Sequence, residues 1–212
     1  MRGVTYERKR RILNIANGIT LLRFFAVPFF IGLMLRHRQA YLAPETFSAD
    51  ECQAYRWIAL GVFVFACISD AADGYIARRF KMITELGRML DPLADKLLLD
   101  TAVLMLALPM GASVARFPFW FPLAVLSRDF ILVLGTILVH LMHVDLRIQP
   151  SWLGKLTTVL QMGCVVLSLC GVGSLALLAA ASAATVGSGL HYTFRGMRVL
   201  TAAAHETLKP HA

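Results

Sequence analysis

Four aspartates, Asp70, Asp73, Asp91 and Asp95, are crowded into one short stretch of a chain that holds 13 acidic residues in 212. Asp70 and Asp73 are three apart and Asp91 and Asp95 four apart, so on helices each pair shares a face. Carboxylates gathered without counter-charge repel one another and take up protons. Divalent cations reverse that preference. Carboxylate oxygens are hard ligands suited to Mg2+ or Mn2+, and four acids are enough to hold two ions. Paired ions of this kind recur in phosphoryl chemistry, where they neutralise charge that develops on oxygen. The competing arrangement is a salt-bridge cluster with Arg78, Arg79, Arg88 and Lys96. Position favours the functional reading, because the stretch lies between strongly apolar segments and ionisable groups at membrane depth default to function.

The elements that must position these acids follow from composition. The chain is 58% hydrophobic with a mean hydropathy of +0.65, above that of an ordinary soluble domain. Its apolar residues come in blocks of about 20, the length of a membrane-spanning helix. Six blocks stand out: Asn17–Leu35, Trp57–Ala77, Arg88–Leu108, Phe119–Leu141, Trp152–Gly171 and Val172–Phe194. Lipid offers no partner to backbone N–H and C=O groups, so these segments are expected to be helices. The expected fold is an all-α integral membrane protein with six transmembrane helices and a short N-terminal amphipathic interfacial helix over residues 1–16. Residues 17–195 then form one membrane domain and 196–212 a cytoplasmic tail. The stretch 37–56, polar and proline-bearing, reads as an external loop. The Gly-, Ala- and Ser-rich sixth block reads as a packing face, since small residues let helices approach closely.

Lys and Arg placement sets the orientation. With the N-terminus inside, fourteen basic residues fall in inside segments, four in outside segments and three within spans. Both termini are therefore expected in the cytoplasm, and the acids near the cytoplasmic face. The net charge of +8 suits anionic headgroups and phosphate-bearing substrates, and no nucleic-acid motif is present. Cys52, Cys67, Cys164 and Cys170 lack metal-ligand spacing, and the three within spans, Cys67, Cys164 and Cys170, read as small buried hydrophobes.

Glycines refine the chemistry. Gly74 follows Asp70 by one turn and Gly87 precedes Asp91 by one turn. A helical glycine costs roughly 1 kcal/mol against alanine, a cost that close approach of a flat ligand would justify; helix–helix packing is the plainer alternative. Ala77 keeps the same wall small, and Arg78 offers a planar fork for phosphate.

The run Asp70-x-x-Asp73-Gly74-x-x-Ala77-Arg78, followed after eight residues by Gly87-x-x-x-Asp91-x-x-x-Asp95, resembles the signature of the CDP-alcohol phosphatidyltransferases at every position. The looser likeness extends from about residue 14 to residue 195. The resemblance implies a homodimer of six-helix subunits in a bacterial inner membrane, each with its active site near the cytoplasmic face. It also implies that CDP-diacylglycerol donates a phosphatidyl group to an alcohol and releases CMP. Asp70, Asp73, Asp91 and Asp95 would bind two divalent cations, Mg2+ or Mn2+. Asp95 would also deprotonate the acceptor hydroxyl. Asp70, Gly74, Ala77, Arg78 and Gly87 would shape the CDP site.

The acceptor is read from the surroundings of the signature. NIANGITLLRFFAVPFF, DPLADKLLLD and SWLGKLTTVLQM are similar to members that use glycerol 3-phosphate. The Arg128-Asp129 pair in LSRDFILVLG is similar to members that use phosphatidylglycerol to make cardiolipin. Arg128 and Lys155 are the candidates for the acceptor's phosphate. An ion pair with Asp129 competes for Arg128, and interfacial snorkelling competes for Lys155. A divalent-cation transporter is the alternative from a different class, although the outer halves of the spans offer it few polar residues.

Overall fold

The computed structural model describes residues 25–80, 85–111, 113–141 and 152–207, with side chains over 25–69, 96–111, 113–135, 137 and 152–194. Its described residues are helices and connecting turns, with no strand among them. Residues 25–42 form α1. They are followed by α2 (Ala49–Phe80), α3 (Glu85–Ala107), α4 (Trp120–Leu141), α5 (Trp152–Leu169) and α6 (Leu175–Thr207). Three of these contain segments long and apolar enough to cross a membrane: Ala49–Ser69, Trp152–Leu169 and Leu175–Phe194. The expected interfacial helix over residues 1–16 lies outside the described residues.

The predicted external loop over 37–56 is shorter than expected. α1 continues to residue 42 and α2 begins at Ala49, leaving residues 43–48 as the connection. The physical reason is a reciprocal cap. Ser48 Oγ accepts from the Glu51 backbone N–H at 3.1 Å, while Glu51 Oε2 accepts from the Ser48 N–H at 2.8 Å. Two otherwise orphaned donors are thereby satisfied, and polar residues enter the helix. At the other end of the chain α6 runs to Thr207, beyond the expected boundary at 195. Residues Thr201-Ala-Ala-Ala-His include strong helix formers that continue the last span.

The chain divides into two units, residues 1–117 with 165–173, and residues 118–164 with 174–212. In the first, the buried stripe of α2 is Arg56, Ala59, Phe63 and Ala66, and that of α3 is Leu98, Leu99, Ala102, Val103 and Leu106. Phe63 meets Phe30 of α1 with ring centroids 6.1 Å apart. α5 ends in a left-handed Gly171, φ 81°. The Gly171 N–H bonds to the Ser168 carbonyl and the Val172 N–H to the Leu167 carbonyl, both at 2.9 Å. That pairing satisfies the last orphan carbonyls of the helix.

In the second unit α4 packs on α6. The buried positions of α5 and α6 there include Thr157, Gln161, Thr185 and Ser188, whereas large apolar side chains such as Phe130, Val159 and Leu190 are exposed. Polar groups inside and apolar groups outside is the pattern of helices surrounded by lipid.

Candidate functional site

Asp70, Asp73, Gly74, Ala77 and Arg78 lie in the last third of α2, and Gly87, Asp91 and Asp95 in the first half of α3. Both helices belong to the first unit, and the connection between them spans residues 81–84. The side chains of residues 70–95 lie outside the described set, so the site is built from backbone and register. At 100° per residue, Asp70, Asp73, Gly74 and Ala77 occupy an arc about 100° wide, and Gly87, Asp91 and Asp95 an arc of about 80°.

These arcs continue the buried stripes. On α2 the buried residues 56, 59, 63 and 66 step by three and four into 70, 73 and 77. On α3 positions 91 and 95 step by three, four and seven into Leu98, Leu99 and Ala102, all buried. By helical phase alone, the positions of the four acids fall in line with the buried positions further along their helices. As a donor set, four carboxylates on two such faces fit hard divalent cations, and the small residues interleaved with them fit the close approach of a ligand. Among the described residues no group of three or more His, Cys, Asp or Glu is placed to hold a metal.

Arg128 and Lys155 belong to the second unit. Arg128 is 5% exposed, and its Nη1 lies 2.5 Å from Asp129 Oδ1 in a buried ion pair. Its Nε donates to Ser188 Oγ on α6 at 3.2 Å, and its stem lies against Gly189, where a Cβ would stand 3.4 Å from Arg128 Cγ. Lys155 sits in the first turn of α5 and is exposed. The two candidates for the acceptor's phosphate thus differ: one is buried and neutralised by its sequence neighbour, the other free to reach solvent or headgroups.

Sequence reasoning left Thr157 and Gln161 out of any site. Both are fully buried. Thr157 Oγ1 donates to the Ala184 carbonyl at 3.1 Å, and Gln161 Nε2 to Thr185 Oγ1 at 3.0 Å. Together with Arg128 and Ser188 they make a polar seam through the second unit. The signal was present: Gly154, Thr157, Gln161, Cys164 and Ser168 recur at three- and four-residue spacing within an apolar helix, and all five are buried.

Comparison with known proteins adds to this geometry. The family model described as CDP-alcohol phosphatidyltransferase matches residues 13–188. A "Probable phosphatidylglycerophosphate synthase" of Mycobacterium tuberculosis is 34% identical over 197 residues, covering 90% of this chain and 85% of that protein. A "CDP-diacylglycerol--glycerol-3-phosphate 3-phosphatidyltransferase" of Mycoplasma genitalium is 32% identical over 158 residues, 73% of this chain and 64% of that protein. The protein of the same description from Yersinia pestis is 29% identical over 159 residues, 73% of this chain and 75% of its own length.

Proposed function

From the premise that the chain belongs to the CDP-alcohol phosphatidyltransferase family, and is a membrane enzyme of phospholipid synthesis, we propose that it transfers a phosphatidyl group from CDP-diacylglycerol to glycerol 3-phosphate. The observation that carries this reading is the register of the acids. Asp70 and Asp73 continue the buried stripe of α2, and Asp91 and Asp95 that of α3. Such placement is costly for charge unless cations and a ligand are meant to meet it. The names of the relatives supply the donor and the acceptor. With the family shown, cation transport is set aside.

In the reaction the acceptor hydroxyl oxygen forms a bond to the phosphatidyl phosphorus. The anhydride bond to CMP breaks, and CMP leaves with the electron pair. Asp95 takes the hydroxyl proton as attack proceeds, a task open to a carboxylate within reach of that hydroxyl. Asp70, Asp73, Asp91 and Asp95 hold two divalent cations, Mg2+ or Mn2+, whose chemistry is to offset the negative charge of the pyrophosphate. Gly74, Ala77 and Gly87 keep the wall low for cytidine, with Asp70 at its edge, and Arg78 binds phosphate oxygen through its fork. Arg128 and Lys155 are assigned the acceptor's phosphate. For Arg128 that assignment means serving Asp129 and a phosphate together, which its five N–H donors allow.

The wider proposal is a homodimer of six-span subunits, with residues 1–16 on the membrane surface, 17–195 as the membrane domain and 196–212 as the tail. Both termini and the acid cluster then face the cytoplasm of a bacterial cell, at its inner membrane. Purified protein given CDP-diacylglycerol and Mg2+ should release CMP with glycerol 3-phosphate and not with phosphatidylglycerol. Release with phosphatidylglycerol alone would move the assignment to cardiolipin synthesis, and no release with either would remove it.

A further inference from the structure

A second cluster of buried polar groups lies at the end of the first unit remote from the aspartates. Arg56 and Asp70 are separated along α2 by about 21 Å at 1.5 Å per residue. His37, on α1, is fully buried. Its Nδ1 donates to the Cys52 carbonyl at 2.7 Å. Cys52 returns the contact: Sγ lies 3.4 Å from Nδ1 and its S–H points to the His37 carbonyl at 3.7 Å. Four residues further along α2, Arg56 is 8% exposed and donates from Nη1 to the Ser113 carbonyl at 2.5 Å. Four residues further along α1, the Tyr41 ring covers Gly111, where φ is 104° and a Cβ would fall 2.5 Å from Tyr41 Cδ2. α1 and α2 are thus fastened to each other, Gly111 to α1 and Ser113 to α2.

We propose that this cluster is a proton-sensitive latch, with His37 as its pin, that acid opens at the end of the protein remote from the aspartates. Nδ1 already serves one carbonyl, so the neutral ring carries its single proton there and leaves Nε2 without a hydrogen bond. The groups acting on the ring are few. α2 contributes Cys52 and the cationic Arg56, and the 108–117 segment contributes the Met110 carbonyl. On α1 itself the ionisable neighbours in sequence are Arg36 and Arg38. Glu51, the nearby acid of α2, is turned to the Ser48 N–H. A proton added to His37 would thus place a second buried cation beside Arg56.

Burial, with help from Arg56, holds the His37 pKa below its ordinary 6.5, against the pull of the Cys52 and Met110 carbonyls. The sign follows. The unfolded chain takes the proton at about 6.5, whereas the latch takes it only at lower pH. The stability from neutral His37 is full above about pH 6.5, falls as pH drops through that window, and levels off below the folded pKa. Under the proposed orientation the latch faces the external medium, so acidity there would loosen this end while the aspartates stay at cytoplasmic pH.

The test is thermal unfolding of the purified full chain in detergent from pH 8 to pH 4.5. The wild type should lose Tm through the window below pH 6.5. His37→Asn keeps a donor near the Nδ1 position and does not titrate, so that part of the acid loss should vanish. If His37→Asn loses Tm over the same window to the same extent, the proposal is overturned. Should that variant fail to fold, Arg56→Gln decides, since it keeps a donor for Ser113 and removes the cation beside the ring. The acid loss should then be smaller and level off at higher pH; an unchanged profile overturns the latch equally.

Discussion

In the second unit, Arg128 and Asp129 are consecutive on α4, almost wholly buried, and 2.5 Å apart. Ser188 receives the guanidinium Nε, and Thr185, Gln161 and Thr157 extend the seam by hydrogen bonds within the unit. In the first unit, acids come as two pairs of like sign, each pair at three- or four-residue spacing, Asp70 with Asp73 on α2 and Asp91 with Asp95 on α3. The seam brings its own counter-charge, Asp129 beside Arg128. Acids repeated at three and four residues do the reverse: each pair concentrates negative charge on one face, a demand for cations. A charge that carries its partner in the next residue can serve structure, whereas charge of one sign repeated along one helix face suits a ligand.

Breaking the two regions should therefore give different losses. Asp95→Asn is expected to lower CMP release by about 10²–10⁴-fold, the range for loss of a positioned base, with little change in Tm. Undiminished release would remove Asp95 from the chemistry. Asp91→Ala should lose activity through metal, so its activity should rise with added Mg2+; indifference to cation would contradict that role. Asp129→Ala should do the opposite, costing roughly 3–5 kcal/mol of stability because Arg128 is left buried and uncompensated. Replacing both as Arg128→Met with Asp129→Leu should restore most of the Tm. If that double variant also keeps its KM for glycerol 3-phosphate, Arg128 has no part in binding the acceptor.

Smaller effects sharpen the contrast within the first unit. Gly111→Ala forces a side chain into a positive φ and onto Tyr41, and should cost about 1–3 kcal/mol, read as a lower Tm. Ser48→Ala removes one half of the reciprocal cap on α2 and should cost about 1 kcal/mol. Neither change should alter KM for either substrate, because both sit at the latch end of the unit.

How legible these features were depends on whether they are local. The cap at Ser48 is written as Ser-x-x-Glu, a local signal inside a polar 37–56 stretch that polarity alone assigns to loop. The extension of α6 was likewise present in its alanines. Three- and four-residue spacing sets the angular positions of Asp70, Asp73, Asp91 and Asp95 on their helices without tertiary information, and α2 and α3 are helical at those positions. The polar stripe of α5 was visible as a spacing, but its partners on α6 were not. Arg128 was harder still, because one sequence serves equally for a phosphate ligand and for an ion pair with Asp129, and only packing shows the pair formed and buried.

The chain's own order of residues determined the helical character, the family and the shared faces of the four aspartates, because hydropathy and helical phase act over a few turns. Tertiary structure alone decided which carbonyls receive the side-chain donors: Cys52 for His37, Ser113 for Arg56, Ala184 for Thr157. Those pairings join residues from 15 to 57 positions apart. They depend on how packed helices are rotated and staggered, and no short window of sequence contains that information.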